Sequence, residues 1–291
     1  MLKFAHITDL HLTGTGEPYQ GYDTRAATSR ALAHMLHMFP DIDFLAITGD
    51  LANWGELGAY RRLEAMLADF PVPVFLMVGN HDSRANFLDV FGERYGLEGP
   101  YVQYARDVKG WRLIFIDTQA AGTHGGELTP DRLEWIEQRL AEAELPVLLF
   151  MHHHPAPAGA PSFDGKGLAD WAGLHELLSR YKNRIRHIFH GHCHALLQGN
   201  VEGVSFTGLR SMGPQAFTNL RNGHATRWFV EPSYAVALVR ENSVVTHIQE
   251  FNYSGPLLVN EPQPFSHFAR LCADRGVAMP EAAPSVAEAA R

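Results

Sequence analysis

Five short stretches of this chain gather side chains able to bind and polarise metal ions: Asp9-Leu10-His11, Gly49-Asp50-Leu51-Ala52-Asn53, Gly79-Asn80-His81-Asp82, His152-His153-His154-Pro155 and Gly191-His192-Cys193-His194. Carboxylate and amide oxygens mixed with imidazole nitrogens suit borderline first-row cations such as Mn, Fe, Co or Zn, and suit Ca poorly. No thiolate is required, so Cys193 reads as a small filler between two histidines. Of the 17 histidines, His6, His11, His81, His152, His153, His154, His190, His192 and His194 lie in or beside these stretches. The run His152 to His154 is internal and directly follows an apolar segment, so it is not a tag. Three consecutive residues do not all point into one site, and one of the three is expected to be a ligand.

The elements that must position these residues are legible around them. Apolar runs at 4–7, 44–48, 74–78, 113–116, 147–151 and 185–189 read as buried strands, and segments 24–39, 56–70, 130–143 and 168–181 carry apolar residues at helical spacing. This β-α-β alternation predicts a largely parallel sheet covered by helices. The five metal-competent stretches follow strands, at the carboxyl ends where parallel sheets place their ligand crevices. Thr129-Pro130 supplies an N-cap and a first-turn proline, with Asp131 and Glu134 adding negative charge at the helix start. After His194 the runs at 197–201, 204–207, 233–239 and 244–250 are shorter and alternate, which predicts antiparallel pairing in a second sheet. The expected class is α/β, a four-layer α/β/β/α sandwich with two packed mixed β-sheets and a metal site at the strand C-terminal ends. The Pro- and Gly-rich loop 155–167 is expected to rim that site, and the irregular stretch 216–232 offers Arg221, His224 and Arg227 to an anion. His6 and His190, near strand ends but outside the motifs, read as core histidines.

Taken in order, Asp-x-His, Gly-Asp, Gly-Asn-His-Asp, a strand-end His and Gly-His-x-His resemble the calcineurin-like metallophosphoesterases over residues 9–194. The resemblance implies one metal held by Asp9, His11, Asp50 and His194, and a second held by Asp50, Asn80, His152 and His192, with Asp50 bridging the two ions. It selects His152 from the histidine run and leaves His153 and His154 as supporting residues. Two divalent or mixed-valence ions (Fe, Mn, Zn or Co) would lower the pKa of a bound water towards about 7 and so supply the hydroxide nucleophile. His81 would sit beside the substrate to stabilise the leaving oxygen or protonate it, and Asp82 would orient the His81 ring. Asn53, in Gly-Asp-x-x-Asn, resembles the subset acting on phosphodiesters, cyclic-nucleotide and glycerophosphodiester phosphodiesterases, and would reach the phosphate. Gly125-Gly126-Glu127-Leu128 and Met151-His152-His153-His154-Pro155-Ala156-Pro157 point to the same subset, and Phe251-Asn252-Tyr253-Ser254-Gly255-Pro256 resembles its glycerophosphodiesterase branch. The implied activity is metal-dependent hydrolysis of small phosphodiesters; a phosphomonoesterase or a non-catalytic metal-binding scaffold are the competing readings.

Composition narrows the classes further. The 291 residues are 46% hydrophobic, enough for a substantial core. A formal charge of −8, from 24 basic and 32 acidic residues, opposes coating nucleic acid and requires attraction for an anionic substrate to be local. Two cysteines, no apolar leader before the first strand and no long apolar run give an expectation of a cytoplasmic protein without membrane contact. A small phosphodiester is the expected partner, and self-association into a homo-oligomer stays open. Residues 1–250 are expected to form the phosphoesterase domain and 251–291 a C-terminal extension ending in a flexible tail.

Overall fold

A computed structural model of the chain describes residues 1–97, 99–224, 226–253, 255 and 264–278. The chain divides into two compact units, Met1–Asn252 and Tyr253–Arg291. The expected flexible tail lies outside the described residues, as do Ser254 and Pro256 of the late motif.

In the first unit, strands β1 (Leu2–Ile7), β2 (Phe44–Thr48) and β3 (Val74–Met77) alternate with helices α1 (Thr24–Met38), α2 (Leu57–Leu67) and α3 (Arg84–Tyr95). Then come β4 (Tyr104–Val108), β5 (Trp111–Ile116), α4 (Pro130–Ala141), β6 (Val147–Met151), the short α5 (Pro161–Asp164), α6 (Ala172–Tyr181) and β7 (Ile185–His190). The unit ends with β8 (Leu197–Val201), β9 (Val204–Gly208), β10 (Gln215–Phe217), β11 (Thr226–Trp228), β12 (Tyr234–Arg240) and β13 (Ser243–Gln249). The second unit contains α7 (Phe265–Ala273), which buries none of its residues.

Two large mixed sheets form, ordered β13-β12-β1-β2-β3 and β4-β5-β6-β7-β9-β8. The late strands depart from the sequence expectation: they do not make a second sheet of their own. The β12-β13 hairpin adds antiparallel to β1, whereas the β8-β9 hairpin enters the other sheet with β9 parallel to β7. Local alternation reports hairpin pairing; it carries no information about which distant edge a hairpin joins. The stretch 216–232 is also more regular than expected, since β10 and β11 pair antiparallel within it.

Side chains alternate across a strand with period two, and here the two faces part cleanly. Leu113, Phe115, Leu148, Phe150 and Phe189 share a core with Phe4, Phe44 and Phe75 of the first sheet. Aromatic rings cross the gap, with centroids 5.0 Å apart for Phe4 and Phe189 and 5.4 Å for Phe75 and Phe115. Ile114, Ile116, Leu149, Met151 and Ile188 turn the other way, onto Ile136 and Leu140 of α4 and Leu174, Leu177 and Leu178 of α6. Ala31, Leu32 and Met35 of α1, Leu63 of α2 and Phe87 and Phe91 of α3 belong to the core of the first sheet. The result is an α/β/β/α sandwich.

Helix boundaries follow local chemistry. The Asp23 carboxylate accepts from Ala26 N at 2.8 Å to start α1, Ser83 Oγ accepts from Asn86 N at 3.3 Å to start α3, and Gly96 ends α3 in the left-handed region. Thr129 precedes α4, yet its hydroxyl accepts from Arg132 Nε at 3.0 Å and makes no side-chain cap. Helix α6 begins later than the expected residue 168 because that segment bridges Gly126: Gly126 N donates to Gly167 O at 2.9 Å and Ala169 N to Gly126 O at 2.7 Å.

Candidate active site

Asp9, Asp50 and Asn80 follow the C-terminal ends of β1, β2 and β3, while His152 and His192 follow β6 and β7 of the facing sheet. Turning the chain so sharply at these ends needs unusual backbone. Asp9, His11, Asp50, His192 and His194 have φ of 52°, 46°, 49°, 68° and 50°. Left-handed non-glycine residues cost about 1–3 kcal/mol each unless their surroundings fix them. Here Asp9 N donates to Gly49 O at 3.0 Å and His11 N to Asp50 O at 2.9 Å, and the Asp50 Oδ1 accepts from His81 N at 2.9 Å. Gly191 is required by space: a Cβ there would lie 2.0 Å from Thr8 Oγ1 and 2.6 Å from Asp9 Oδ2.

The side chains converge in two overlapping sets. Asp9, His11, Asp50 and His194 are buried and offer one donor atom each, all within 4.8 Å of one another. His11 Nε2 and His194 Nε2 stand 3.0 Å apart, and His194 Nε2 is 3.3 Å from Asp9 Oδ1. In the second set Asn80 Oδ1 is 3.1 Å from His152 Nε2 and 2.8 Å from His192 Nδ1. Asp50 faces both, with Oδ2 3.6 Å from His11 Nε2 and Oδ1 3.4 Å from His152 Nε2.

Hydrogen bonding on the far side of each ring fixes what it presents to the cluster. Carbonyl oxygens only accept, so His152 Nδ1 donates to Thr48 O at 2.8 Å, His194 Nδ1 to Pro214 O at 2.6 Å and His11 Nδ1 to Asn53 Oδ1 at 3.0 Å. Each Nε2 therefore faces inward, and in a neutral ring it aims a lone pair there. Two such lone pairs 3.0 Å apart, at His11 and His194, repel unless a cation lies between them. A set of nitrogen and oxygen acceptors with a net negative charge fits divalent first-row ions. His153 points elsewhere: its Nε2 donates to His124 O at 3.2 Å and its Nδ1 accepts from Thr118 Oγ1 at 2.8 Å. His154 Nδ1 lies 3.6 Å from Cys193 Sγ.

The electrostatics match this arrangement. Burial would raise the Asp50 carboxyl, but the adjacent His152 outweighs it and holds Asp50 well below the carboxylate range. Conversely burial would lower His152, and Asp50 instead raises it to about 9, so without a cation its Nε2 keeps a proton facing Asp50, one that a bound ion would displace. Burial pushes His11 down to about 3 and, with His153 beside it, holds His192 well below its ordinary value. Cys193 is kept a neutral thiol by burial. His6 and His190, bonded to Thr48 Oγ1 and Gly191 O, are pushed down to about 3 by burial and behave as core residues.

One sequence expectation is corrected. Asp82 does not orient His81: its carboxylate accepts from Gly79 N (2.8 Å), Ala52 N (3.0 Å), Leu51 N (3.1 Å) and the Tyr60 hydroxyl (2.9 Å). The His81 ring is held by the Asn53 backbone carbonyl, 2.8 Å from Nδ1, leaving Nε2 towards the cavity. Asn53 is 1% exposed and does not line the cavity; its Oδ1 is spent on His11, which leaves the amide Nδ2–H2 as its remaining donor. Both residues serve the geometry of the loops.

The opening above the cluster is a cavity of about 210 Å³ whose lining includes His11, Asp50, Asn80, His81, His192 and His194. The loop 155–167 supplies Ser162, Phe163 and Lys166, and the β10–β11 hairpin supplies Phe217, Thr226 and Arg227. Of the three cationic candidates in 216–232, Arg227 lines the cavity, whereas Arg221 and His224 do not. Sequence reading missed Tyr19, whose ring stacks 5.2 Å from that of His11, and Lys166. It also missed His124, whose ring centroid is 5.0 Å from that of His81 and whose Nδ1 accepts from Asn80 Nδ2 at 3.0 Å. His124 immediately precedes the Gly125-Gly126 pair, the one local signal available for it.

Stacked mixed sheets with a buried Asp-His-Asn cluster at facing strand ends define an α/β class with a candidate metal site. Comparison with known proteins agrees. The calcineurin-like phosphoesterase family model matches residues 2–196. A probable cyclic nucleotide phosphodiesterase of Rhodopseudomonas palustris is 35% identical over 261 residues, 88% of this chain and 95% of that protein. A glycerophosphodiester phosphodiesterase of Enterobacter lignolyticus is 31% identical over 200 residues, 67% of this chain and 72% of that protein. A dimetal phosphatase from Danio rerio shares the fold, with a TM-score of 0.63 at 14% identity over 86% of this chain and 96% of that one. The chain belongs to the calcineurin-like phosphoesterases. Among the described residues no helix is long and apolar enough to cross a membrane.

Proposed function

We propose that the chain is a binuclear-metal-dependent phosphodiesterase acting on small phosphodiesters, 3′,5′-cyclic nucleotides or glycerophosphodiesters. The observation that carries this reading is Asp50, whose two oxygens each face a different set of nitrogen and oxygen donors. Asp9, His11, Asp50 and His194 would hold one ion and Asp50, Asn80, His152 and His192 the other, with Fe, Mn, Zn or Co as candidates. When bound, such ions supply Lewis acidity and bring the pKa of water towards neutrality. The chain's own residues do the rest. Asp9 and Asp50 hold their charge at neutral pH, the carbonyls of Thr48 and Pro214 lock the ligand rings, and His81 presents Nε2 to the cavity beside the phosphate. Lys166 and Arg227 at the rim supply positive charge locally on a chain of net charge −8. The names of the relatives from Rhodopseudomonas and Enterobacter support a diester substrate.

The test is hydrolysis by protein loaded in turn with Mn, Fe, Co and Zn. Bis(p-nitrophenyl) phosphate, cyclic AMP and a glycerophosphodiester are compared with p-nitrophenyl phosphate. A preference for diesters is expected; preference for the monoester contradicts the substrate reading.

A further inference from the structure

The geometry points to His124 as a substrate-contacting residue that donates a hydrogen bond from Nε2–H to the departing oxygen of the diester, an inference that rests on the phosphodiesterase reading above. His124 belongs to none of the five motifs, yet it lines the cavity beside His81.

What the two rings present differs. At His81, Nδ1–H is spent on Asn53 O, so the neutral ring shows the cavity an Nε2 lone pair. At His124 the order is reversed. Asn80 turns Oδ1 towards His152 and His192, which leaves its Nδ2–H2 for His124 Nδ1, 3.0 Å away. An Nδ1 that accepts carries no proton, so the neutral ring holds its proton on Nε2. His81 offers an acceptor and His124 a donor.

The loop bearing His124 is built to hold it. Thr118 Oγ1–H donates to His153 Nδ1, and His153 Nε2–H donates to the His124 carbonyl. Gly126 packs against the His153 ring, where a Cβ would sit 2.6 Å from Nδ1. This relay gives the buried His153, which offers no atom to the metal-competent sets, a positioning role. Asn80 then joins the donor histidine directly to the second set.

In the reaction, an oxygen of water bonds to phosphorus as the water gives up a proton to solvent, and the bond from phosphorus to the leaving oxygen breaks, its electron pair staying on that oxygen. Charge grows there, and a preorganised neutral donor stabilises it, the oxygen finally taking a proton from solvent at the open rim. Such help matters most when the leaving oxygen is basic. Dialkyl diesters need it more than nitrophenyl diesters.

The experiment compares wild type with His124→Ala and His124→Gln, metal-loaded, on bis(p-nitrophenyl) phosphate and on a glycerophosphodiester. Metal content is measured in parallel, and histidine 15N spectra are recorded on the full-length zinc-loaded protein. We expect kcat on the glycerophosphodiester to fall about 10²-fold, the size of one lost oxyanion donor, at least about tenfold more than on the nitrophenyl ester. With metal kept saturating, KM and metal content should stay near wild type, and the His124 ring should show an Nε2–H tautomer. Equal losses on both esters, loss of metal, or an Nδ1–H tautomer would overturn the assignment. A wild type that cleaves neither diester would instead reject the phosphodiesterase reading beneath it.

Discussion

Asn53 shows how a polar side chain beside a site can hold the site's own rings. Its backbone carbonyl holds His81 and its side-chain oxygen holds His11, so one residue sets the tautomers of two functional rings. Removing a group that orients a metal-binding histidine weakens metal affinity about 10–100-fold. We therefore expect Asn53→Ala to raise the metal dissociation constant by that factor, measured by titration of metal-free protein. An unchanged metal affinity with a raised KM would restore the substrate-contact reading. The donor residues themselves were legible because each motif carries an acidic, amide or imidazole group at a strand end. His124 was not, since a histidine in a surface loop has no periodicity to mark it, and its position depends on His153, from the end of another strand, and on Thr118 behind it.

Loops after strands are held together by Asp82 more than by any ligand. Its carboxylate draws Leu51 and Ala52 of the loop after β2 and Gly79 of the loop after β3 into one frame, with the Tyr60 hydroxyl of α2 as fourth donor. Asp82→Ala leaves buried donors unpaired at about 1–3 kcal/mol each. It should lower stability by about 3 kcal/mol or more in urea unfolding, whereas His81→Ala, with an exposed edge, should reduce kcat and leave the unfolding midpoint near wild type. Comparable midpoints for the two variants would contradict this division. The six strands that run into or beside the site, and four of the helices, were readable from apolar runs and helical spacing. Helix α3 was overlooked although Ser83, Gly96 and the spacing of Phe87, Phe91 and Tyr95 mark it. The placement of the late hairpins on opposite sheets was not readable, because edge choice is decided by packing: β8–β9 joins the nearby β7, whereas β12–β13 joins β1 at the far end of the unit's sequence.

Across the whole molecule, histidines the site does not use load the fold with acid sensitivity. His187 is buried, bonded to Thr207 Oγ1 at 2.9 Å, and burial lowers it to about 4; His6 and His190 are lowered to about 3. A folded-state value below the unfolded 6.5 means the unfolded chain binds more protons in between. The stability these groups contribute is fully present above pH 6.5 and is lost as pH falls from there towards about 4, each by up to about 1.4 kcal/mol per pH unit. Urea unfolding between pH 7 and 4.5 should show this decline, and His187→Gln should flatten it by about one proton. An unaltered slope in that variant would place the acid sensitivity elsewhere.

The proposed sharing of the Asp50 carboxylate by two metal ions is open to a stoichiometric test. Elemental analysis of the full-length protein, reconstituted with Mn or Zn and freed of excess ion, should give about two ions per chain for wild type and a loss of both in Asp50→Ala, with diester hydrolysis lost in step. Retention of one tightly held ion in Asp50→Ala, or diester hydrolysis by protein containing no metal, would contradict it.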